Sequence, residues 1–360
     1  MNILYITNHL NVGGITSYCL TLAGGIKKQA NNVYIASSGG EVLYKFQNLG
    51  INYFSVPLRT KNEISPKIII SAIKLIFFIK KYNINIVHTN SRTTQVLGCL
   101  LNRFTGVTHL TTCHGFFNKK ISRMISPCWG KKIIAISQQV KDHLIDDFKV
   151  DSKKIRIINN GIDTEKFNTR IKSNLNIKEG PVIGIIARLF DVKGHEFLIR
   201  AMELVLKNYP QAQLLIVGEG KMKAQLVRLI EELGINKNVI FIPEIADTRE
   251  ALSVMDIFVM PSLQEGLGLA LMEAMSMGIA VIGSDVGGIK TLIQDKQNGL
   301  LVKPSDYQAL SEAIILLLSD EKLRESLGTQ ARKFIALNFS QEKMVHETLE
   351  VYSECLSVKD

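Results

Sequence analysis

The feature that most limits what this chain can fold into is a rhythm of short apolar runs and longer amphipathic ones that occurs twice. The runs NILYITN (2–8), NNVYIAS (31–37), INIVHTN (84–90), HLTTCHG (109–115), KIIAIS (132–137) and KIRIINNG (154–161) are short, β-branched and end at Asn, Ser or Gly. Between them lie stretches such as ITSYCLTLAGGIKKQ and TQVLGCLLNRF, with apolar residues at helical spacing. After NTRIKSNLNIKEGP the rhythm restarts with VIGIIA (182–187), QLLIVG (213–218), NVIFIP (238–243), DIFVMP (256–261), AVIGSD (280–285) and GLLVKP (299–304). Helices are expected between these at 195–207, 221–233 and 265–277. Near-continuous apolar strands alternating with helices specify parallel sheets covered on both faces.

The expected architecture is α/β, with two doubly wound domains over residues 1–170 and 171–335 facing each other across a cleft. The polar segment 168–181 is the hinge. Residues 336–360 read as a closing helix with no strand after it, crossing back to the first domain. At 360 residues the chain exceeds one ordinary core and suits two. Ligands of such sheets sit beyond the carboxyl ends of the strands, so the chemistry is sought there.

Composition narrows the class. With 46% hydrophobic and 21% charged residues the chain is globular rather than disordered. Cys19, Cys99, Cys113, Cys128 and Cys355 fall at irregular spacings without C-x-x-C, which reads as reduced thiols of a cytosolic protein. MNILYITN lacks the charged lead and cleavage site of a signal peptide. No apolar run reaches the ~18 residues of a spanning helix. The net charge of +10 is unevenly shared: residues 1–175 hold 24 Lys and Arg against 8 Asp and Glu, and the remainder is net acidic. Such a basic half is drawn to an anionic surface, whether lipid, polyanionic substrate or nucleic acid, or its lysines simply solvate the fold.

PSLQEGLGLALMEAMSMG (261–278) carries two glutamates, Glu265 in a loop at a strand end and Glu273 within the following helix, about 7 Å along its axis. The amides of Gly266, Leu267 and Gly268 lie between them at a helix N-terminus, where unpaired N–H groups favour an anion. Two acceptor-only carboxylates around a set of donors match ribose, diphosphate and hexose in a nucleotide-sugar. A salt-bridged helix residue and a turn charge account for the same pattern. IIARLFDVKGHE (185–196) offers Arg188 and Lys193 at another strand end, two cations for a diphosphate or two ordinary surface charges. In NHLNVGGITSY, Gly13 and Gly14 permit close backbone approach to a phosphate or sugar. TTCHGFF puts His114 at a further strand end, directed at the cleft.

Other chemistries are poorly supplied. The chain lacks G-x-G-x-x-G, G-x-S-x-G, G-x-x-x-x-G-K-[ST], H-E-x-x-H and D-x-D.

In order along the chain, NVGGITSY, TTCHGF, IIAIS, IINNGIDTEKF, IIARLFDVKG, LLIVGEG, PSLQEGLGLALMEAMSMGIAVIGSDVGG and NGLLVKP resemble the motifs of the family 4 glycosyltransferases, which have the GT-B fold. Glu265 to Glu273 matches that family's E-x7-E signature. The resemblance implies an acceptor-binding first domain and a donor-binding second one. It implies that Glu273 binds ribose hydroxyls, that Glu265 approaches the donor sugar, and that Gly266, Leu267 and Gly268 offer amides to sugar and phosphate. Arg188 and Lys193 are then the diphosphate clamp, Gly14 lines the phosphate, His114 stands beside the reacting sugar, and the turn at Ile245 meets the base through its backbone. A retaining transfer is implied, with no metal or other cofactor.

The basic half adds a surface. SPKIIISAIKLIFFIKKY (65–82) reads as a helix capped by Ser65, with Pro66 first and Lys67, Lys74 and Lys81 on one face. GFFNKKISRMISPCWGKK mixes Phe116, Phe117 and Trp129 with Lys119, Lys120 and Arg123. Cations beside aromatics suit an anionic membrane interface, so peripheral attachment to the cytoplasmic leaflet and a lipid-linked or other envelope glycan acceptor are expected. A buried helix with lysines at its exposed edge fits the first segment equally. Two other classes stay open: a GT-B-shaped nucleotide-sugar epimerase, which this E-x7-E helix does not mark, and a nucleic-acid binder, for which only the charge speaks.

Overall fold

The computed structural model describes residues 1–357 apart from Lys61, Lys120, Thr169 and Arg170. It comprises two compact units. Met1–Gly161 and the closing helix Gln341–Ser357 form the first, and Ile162–Ser340 form the second.

The first unit is built on β1 (Asn2–Ile6), β2 (Asn32–Ser37), β3 (Asn52–Ser55), β4 (Ile86–Thr89), β5 (Thr108–Cys113), β6 (Ile133–Ala135) and β7 (Ile155–Ile157). They form one parallel sheet in the order β3-β2-β1-β4-β5-β6-β7. The sequence reading did not anticipate β3. It is an edge strand of four residues, polar at both ends and nowhere fully buried, so it carries almost no apolar signal. Central strands are the opposite: Ile3, Leu4, Tyr5 and Ile6 of β1 have no exposed surface, because helices cover both faces. Burying side chains of this size contributes about 1.5–3 kcal/mol each.

One face is closed by Gly14–Lys28 and the closing helix, which meet at glycine: a Cβ on Gly25 would lie 2.5 Å from Val345 Cγ2. Gln341 Nε2 donates to the Thr21 carbonyl at 2.5 Å. The buried hydroxyl of Tyr352 sits 2.8 Å from that of Tyr5 and 2.6 Å from His88 Nδ1. The other face is closed by the helices Pro66–Lys81 and Arg92–Thr105. Ser65 Oγ accepts from the Lys67 amide, and Pro66 occupies the first turn, where no N–H is needed.

In the second unit, β8 (Val182–Ile186), β9 (Gln213–Val217), β10 (Val239–Ile242), β11 (Ile257–Met260), β12 (Ala280–Ser284) and β13 (Leu300–Val302) make a parallel sheet in the order β10-β9-β8-β11-β12-β13. The expected helix over 265–277 divides into a loop and a shorter helix, Leu269–Ser276, because Gly268 turns left-handed at φ 93°. Among the described residues no helix is long and apolar enough to cross a membrane, and all five cysteines are free thiols.

Candidate active site

Chain order reverses at one place in each sheet, the place beyond whose strand ends ligands of such sheets bind. In the second unit that place is between β8 and β11. The β8 loop supplies Arg188 and Lys193, and the β11 loop supplies Glu265. Lys193 Nζ lies 2.5 Å from Glu265 Oε2, with the two side chains 19% and 13% exposed. Arg188 is exposed and stacks on Phe190 at 5.3 Å, a ring that also lies 5.6 Å from Lys221 Nζ. The reversal thus gathers an exposed cation, a half-buried ion pair and a second cation, Lys221, which pairs with Asp191 at 3.2 Å and was not singled out in the sequence.

Backbone packing fixes the Glu265 loop. The Gly288 amide donates to the Glu265 carbonyl at 3.0 Å. A Cβ on Gly287 would lie 2.3 Å from Glu265 O, and one on Gly288 2.1 Å from Gly266 O. Across the β8 loop, Gly218 and Gly220 stand equally close to Ala187 O and Leu189 O. These glycines were legible only as turns, since their purpose is contact between loops distant in sequence. The Gly266 amide is taken by its neighbour's carboxylate, Glu265 Oε1, at 3.1 Å. The Leu267 and Gly268 amides have no acceptor among the described residues, so the donors before Leu269–Ser276 are two rather than three. Glu273 is half-buried within that helix. Ile245 is half-buried in the loop after β10, three strands from β11 and so about 14 Å along the same sheet edge.

In the first unit the reversal lies between β1 and β4. Asn8, after β1, binds Ser91 and Thr93, after β4, and its Nδ2 lies 2.7 Å from Thr93 Oγ1. Gly13 has φ 150° and open space around its Cβ position, and Gly14 opens the first helix. His114 Nε2 is 3.0 Å from Asn90 Oδ1, and its ring meets Tyr18 edge-on at 4.6 Å. Burial lowers the His114 pKa to about 3, so the imidazole is neutral near pH 7. It can therefore share a hydrogen bond with a sugar hydroxyl and cannot act there as a cation. Asn90 Nδ2 is buried without a partner among the described residues. The sequence signal for Asn90 was present, as the last residue of a strand run, and went unused.

The structure removes two residues from the expected membrane surface. Arg123 is 7% exposed and Trp129 8%. The Arg123 guanidinium stacks on Phe117 at 4.2 Å and faces Trp129 and Phe148, so aromatics and cation satisfy each other inside the unit. Phe116 and Phe117 are half-buried against His143, and Lys119 pairs with Asp147 at 2.8 Å. Lys120 lies outside the described residues. Lys67, Lys74 and Lys81 are exposed along one helix. No three His, Cys, Asp or Glu among the described residues converge as a metal-binding group.

The profile of the family described as Glycosyltransferase Family 4 matches residues 12–166, and that of Glycosyl transferases group 1 matches residues 167–334. The chain is a family 4 glycosyltransferase. The transferase is 28% identical to the UDP-Gal:alpha-D-GlcNAc-diphosphoundecaprenol alpha-1,3-galactosyltransferase of Escherichia coli, over 84% of each chain. It is 26% identical to the capsular polysaccharide biosynthesis glycosyltransferase CapM of Staphylococcus aureus, over 92% of each. A glycosyltransferase from Rickettsia africae superposes with a TM-score of 0.85 over 99% of both chains, at 26% identity. The transferase has the GT-B fold and belongs to a retaining family.

Proposed function

We propose that the transferase moves a glycosyl group from a UDP-sugar to an acceptor hydroxyl with retention, on a lipid-linked or other cell-envelope glycan, and without a metal. The observation that carries the donor half is the Lys193–Glu265 pair at the reversal between β8 and β11. A diphosphate competes with Glu265 for Lys193, so donor binding exchanges an internal ion pair for one with ligand and frees Glu265 toward the sugar. Arg188 and Lys193 balance the charge that grows on the leaving phosphate, the Leu267 and Gly268 amides share it, and Glu273 takes the ribose hydroxyls. The backbone at Ile245 meets the base.

The first unit takes the acceptor, with Gly13, Gly14 and the neutral His114 at the reacting end. The acceptor oxygen bonds to the anomeric carbon on the face from which phosphate departs. The C–O bond to the phosphate breaks with its electron pair on phosphate, which receives the acceptor's proton. UDP and an envelope acceptor are supported by the Escherichia coli relative, a UDP-Gal:alpha-D-GlcNAc-diphosphoundecaprenol galactosyltransferase, and by CapM's part in capsular polysaccharide biosynthesis.

Thermal unfolding in EDTA with UDP, GDP, ADP or CMP tests this. UDP at 100 times its Kd adds about 2.7 kcal/mol, a rise of a few degrees, which Glu273→Ala abolishes. No rise with UDP, or an undiminished rise in the variant, sinks the donor assignment.

A further inference from the structure

The helix Pro66–Lys81 buries Ile68, Ala72, Leu75, Phe78 and Ile79 against the sheet and turns the rest outward. That outer face is not polar. Ile69 is 59% exposed, Ile70 46%, Ile73 53% and Phe77 71%. Helical spacing sets these four on one side, with Lys67, Lys74 and Lys81 along one flank and Lys80 in the last turn, on the line of Ile69 and Ile73. The helix contains no Asp or Glu. Glu63, just before it, is tied 2.9 Å from Arg92, which holds its carboxyl below the usual carboxylate range.

A second apolar group adjoins the first turn. The same Arg92 donates to the carbonyls of Ser126 and Pro127 at 2.8 and 2.7 Å, so one guanidinium clips segment 122–127 to the start of the helix. This brings Met124 (62% exposed) and Ile125 (79%) to the side of the molecule carrying Ile64 (89%). In the second unit Leu316 and Leu337 are exposed on separate helices, and Val192 and Leu263 adjoin through a backbone bond of 2.8 Å at the β8 and β11 loops.

We infer that this face docks the protein on an anionic lipid bilayer, the helix lying in the headgroup layer with Phe77 and the isoleucines in the acyl boundary. Charge complementarity selects the occupant. An apolar strip flanked by a row of three lysines, with Lys80 in its last turn and without one acid, matches apolar chains beneath anionic headgroups. A second copy paired through this helix gathers eight lysines around one apolar contact with no acid of either helix to meet them, a like-charge arrangement. The helix begins after β3, at the sheet edge that carries His114, so docking along its first turn brings that edge toward lipid. The inference supplies a surface for the proposed acceptor and needs no part of the donor assignment.

Flotation of the full chain with vesicles tests it, using phosphatidylcholine alone and with about 30% phosphatidylglycerol at about 0.1 M salt. The chain is expected to float with anionic vesicles only. Combined Lys67→Glu, Lys74→Glu and Lys81→Glu weaken binding at least tenfold, since each lysine near the surface is worth about fivefold. Ile73→Ser with Phe77→Ser weakens it comparably, and the emission of Phe77→Trp shifts to the blue on binding. An unchanged far-UV circular dichroism spectrum and cooperative thermal unfolding of every variant report folding without reference to nucleotide. Absence of flotation, unshifted Phe77→Trp emission, or an equal loss from reversing Lys207, Lys237 and Lys322 of the second unit overturns the inference. So does a dimer that Ile73→Ser with Phe77→Ser dissociates, because a second copy then covers the face.

Discussion

The two units share a topology and differ in what they put at the same topological place. At its chain reversal the second unit holds charge, the Lys193–Glu265 pair, on loops locked by backbone contacts at glycine. At its reversal the first unit holds neutral hydrogen bonds, Asn8 with Ser91 and Thr93 and Asn90 with His114. Its exposed lysines, Lys67, Lys74, Lys80 and Lys81, lie instead on the outside of the Pro66–Lys81 helix. A leaving diphosphate demands fixed charge and fixed amides, whereas a sugar hydroxyl demands only a shaped neutral partner. On the proposed function, the same scaffold serves a common chemistry in the second unit and a variable recognition in the first.

The largest effect expected from this contrast is catalytic. Lys193→Ala removes a charge-assisted contact to the leaving group and is expected to lower turnover by about 10²–10³, measured as UDP release in the presence of acceptor. His114→Ala removes one neutral hydrogen bond and is expected to cost about tenfold. Equal losses would erase the distinction between the two reversals.

Glycine gives the next test. Gly288→Ala drives a Cβ to 2.1 Å from Gly266 O and 2.5 Å from Leu267 Cα, both backbone that cannot yield without moving the Glu265 loop. About 3 kcal/mol of stability and the UDP-dependent rise in Tm should be lost together. Gly25→Ala meets Val345 at 2.5 Å and Gln341 at 3.2 Å, side chains rather than backbone, so it should cost stability by parting the two helices while leaving the UDP response intact. Urea titrations with and without UDP separate the two.

This contrast also explains what could be read in the sequence. The second unit's candidate site was legible because two glutamates at fixed spacing and two cations after one strand leave a linear trace, whereas its close-approach glycines showed only as turns. The thirteen strands were legible except β3, whose single neighbour asks little of its side chains. The first unit's interior was not legible in the same way. Arg123, Phe117 and Trp129 looked like a membrane surface because composition cannot tell a cation beside aromatics in lipid from one caged by them in a core. The Lys67, Lys74 and Lys81 face was visible as a period of seven, whereas the clip from Arg92 to segment 122–127 joins residues that no periodicity connects.

Acid should act on the units unequally. In the first, burial holds His88 well below its ordinary pKa, His109 at about 4 and His114 at about 3. In the second, only His195 is so held among the described residues, at about 4, by burial and then by Lys193. Unfolded histidine titrates near 6.5, so below that pH the unfolded chain binds protons that the folded chain refuses. The stability is complete above about pH 6.5 and is lost as pH falls toward the folded values. At pH 6 each histidine costs about 0.8 kcal/mol, so the first unit should lose about 2 kcal/mol and the second less than 1. Hydrogen exchange resolved by unit, between pH 7 and 5.5, measures the difference, and equal losses would break it.

The smallest effect is expected from Tyr352→Phe. Its hydroxyl lies between Tyr5 Oη and His88 Nδ1, and His88 Nε2 continues to Thr112 and thence to Tyr18, whose ring meets His114. Removing the hydroxyl leaves His88 Nδ1 buried without that partner and should cost about 1 kcal/mol, read as faster exchange in β1 and β4. Because the chain of hydrogen bonds ends at an aromatic contact rather than at a charge, nucleotide affinity should not change and UDP release should fall less than threefold. A large fall in turnover from this one hydroxyl would mean that the closing helix holds the acceptor site in register. The first unit would then depend on positioning as strictly as the second does, and the contrast between a fixed donor side and an adaptable acceptor side would have to be given up.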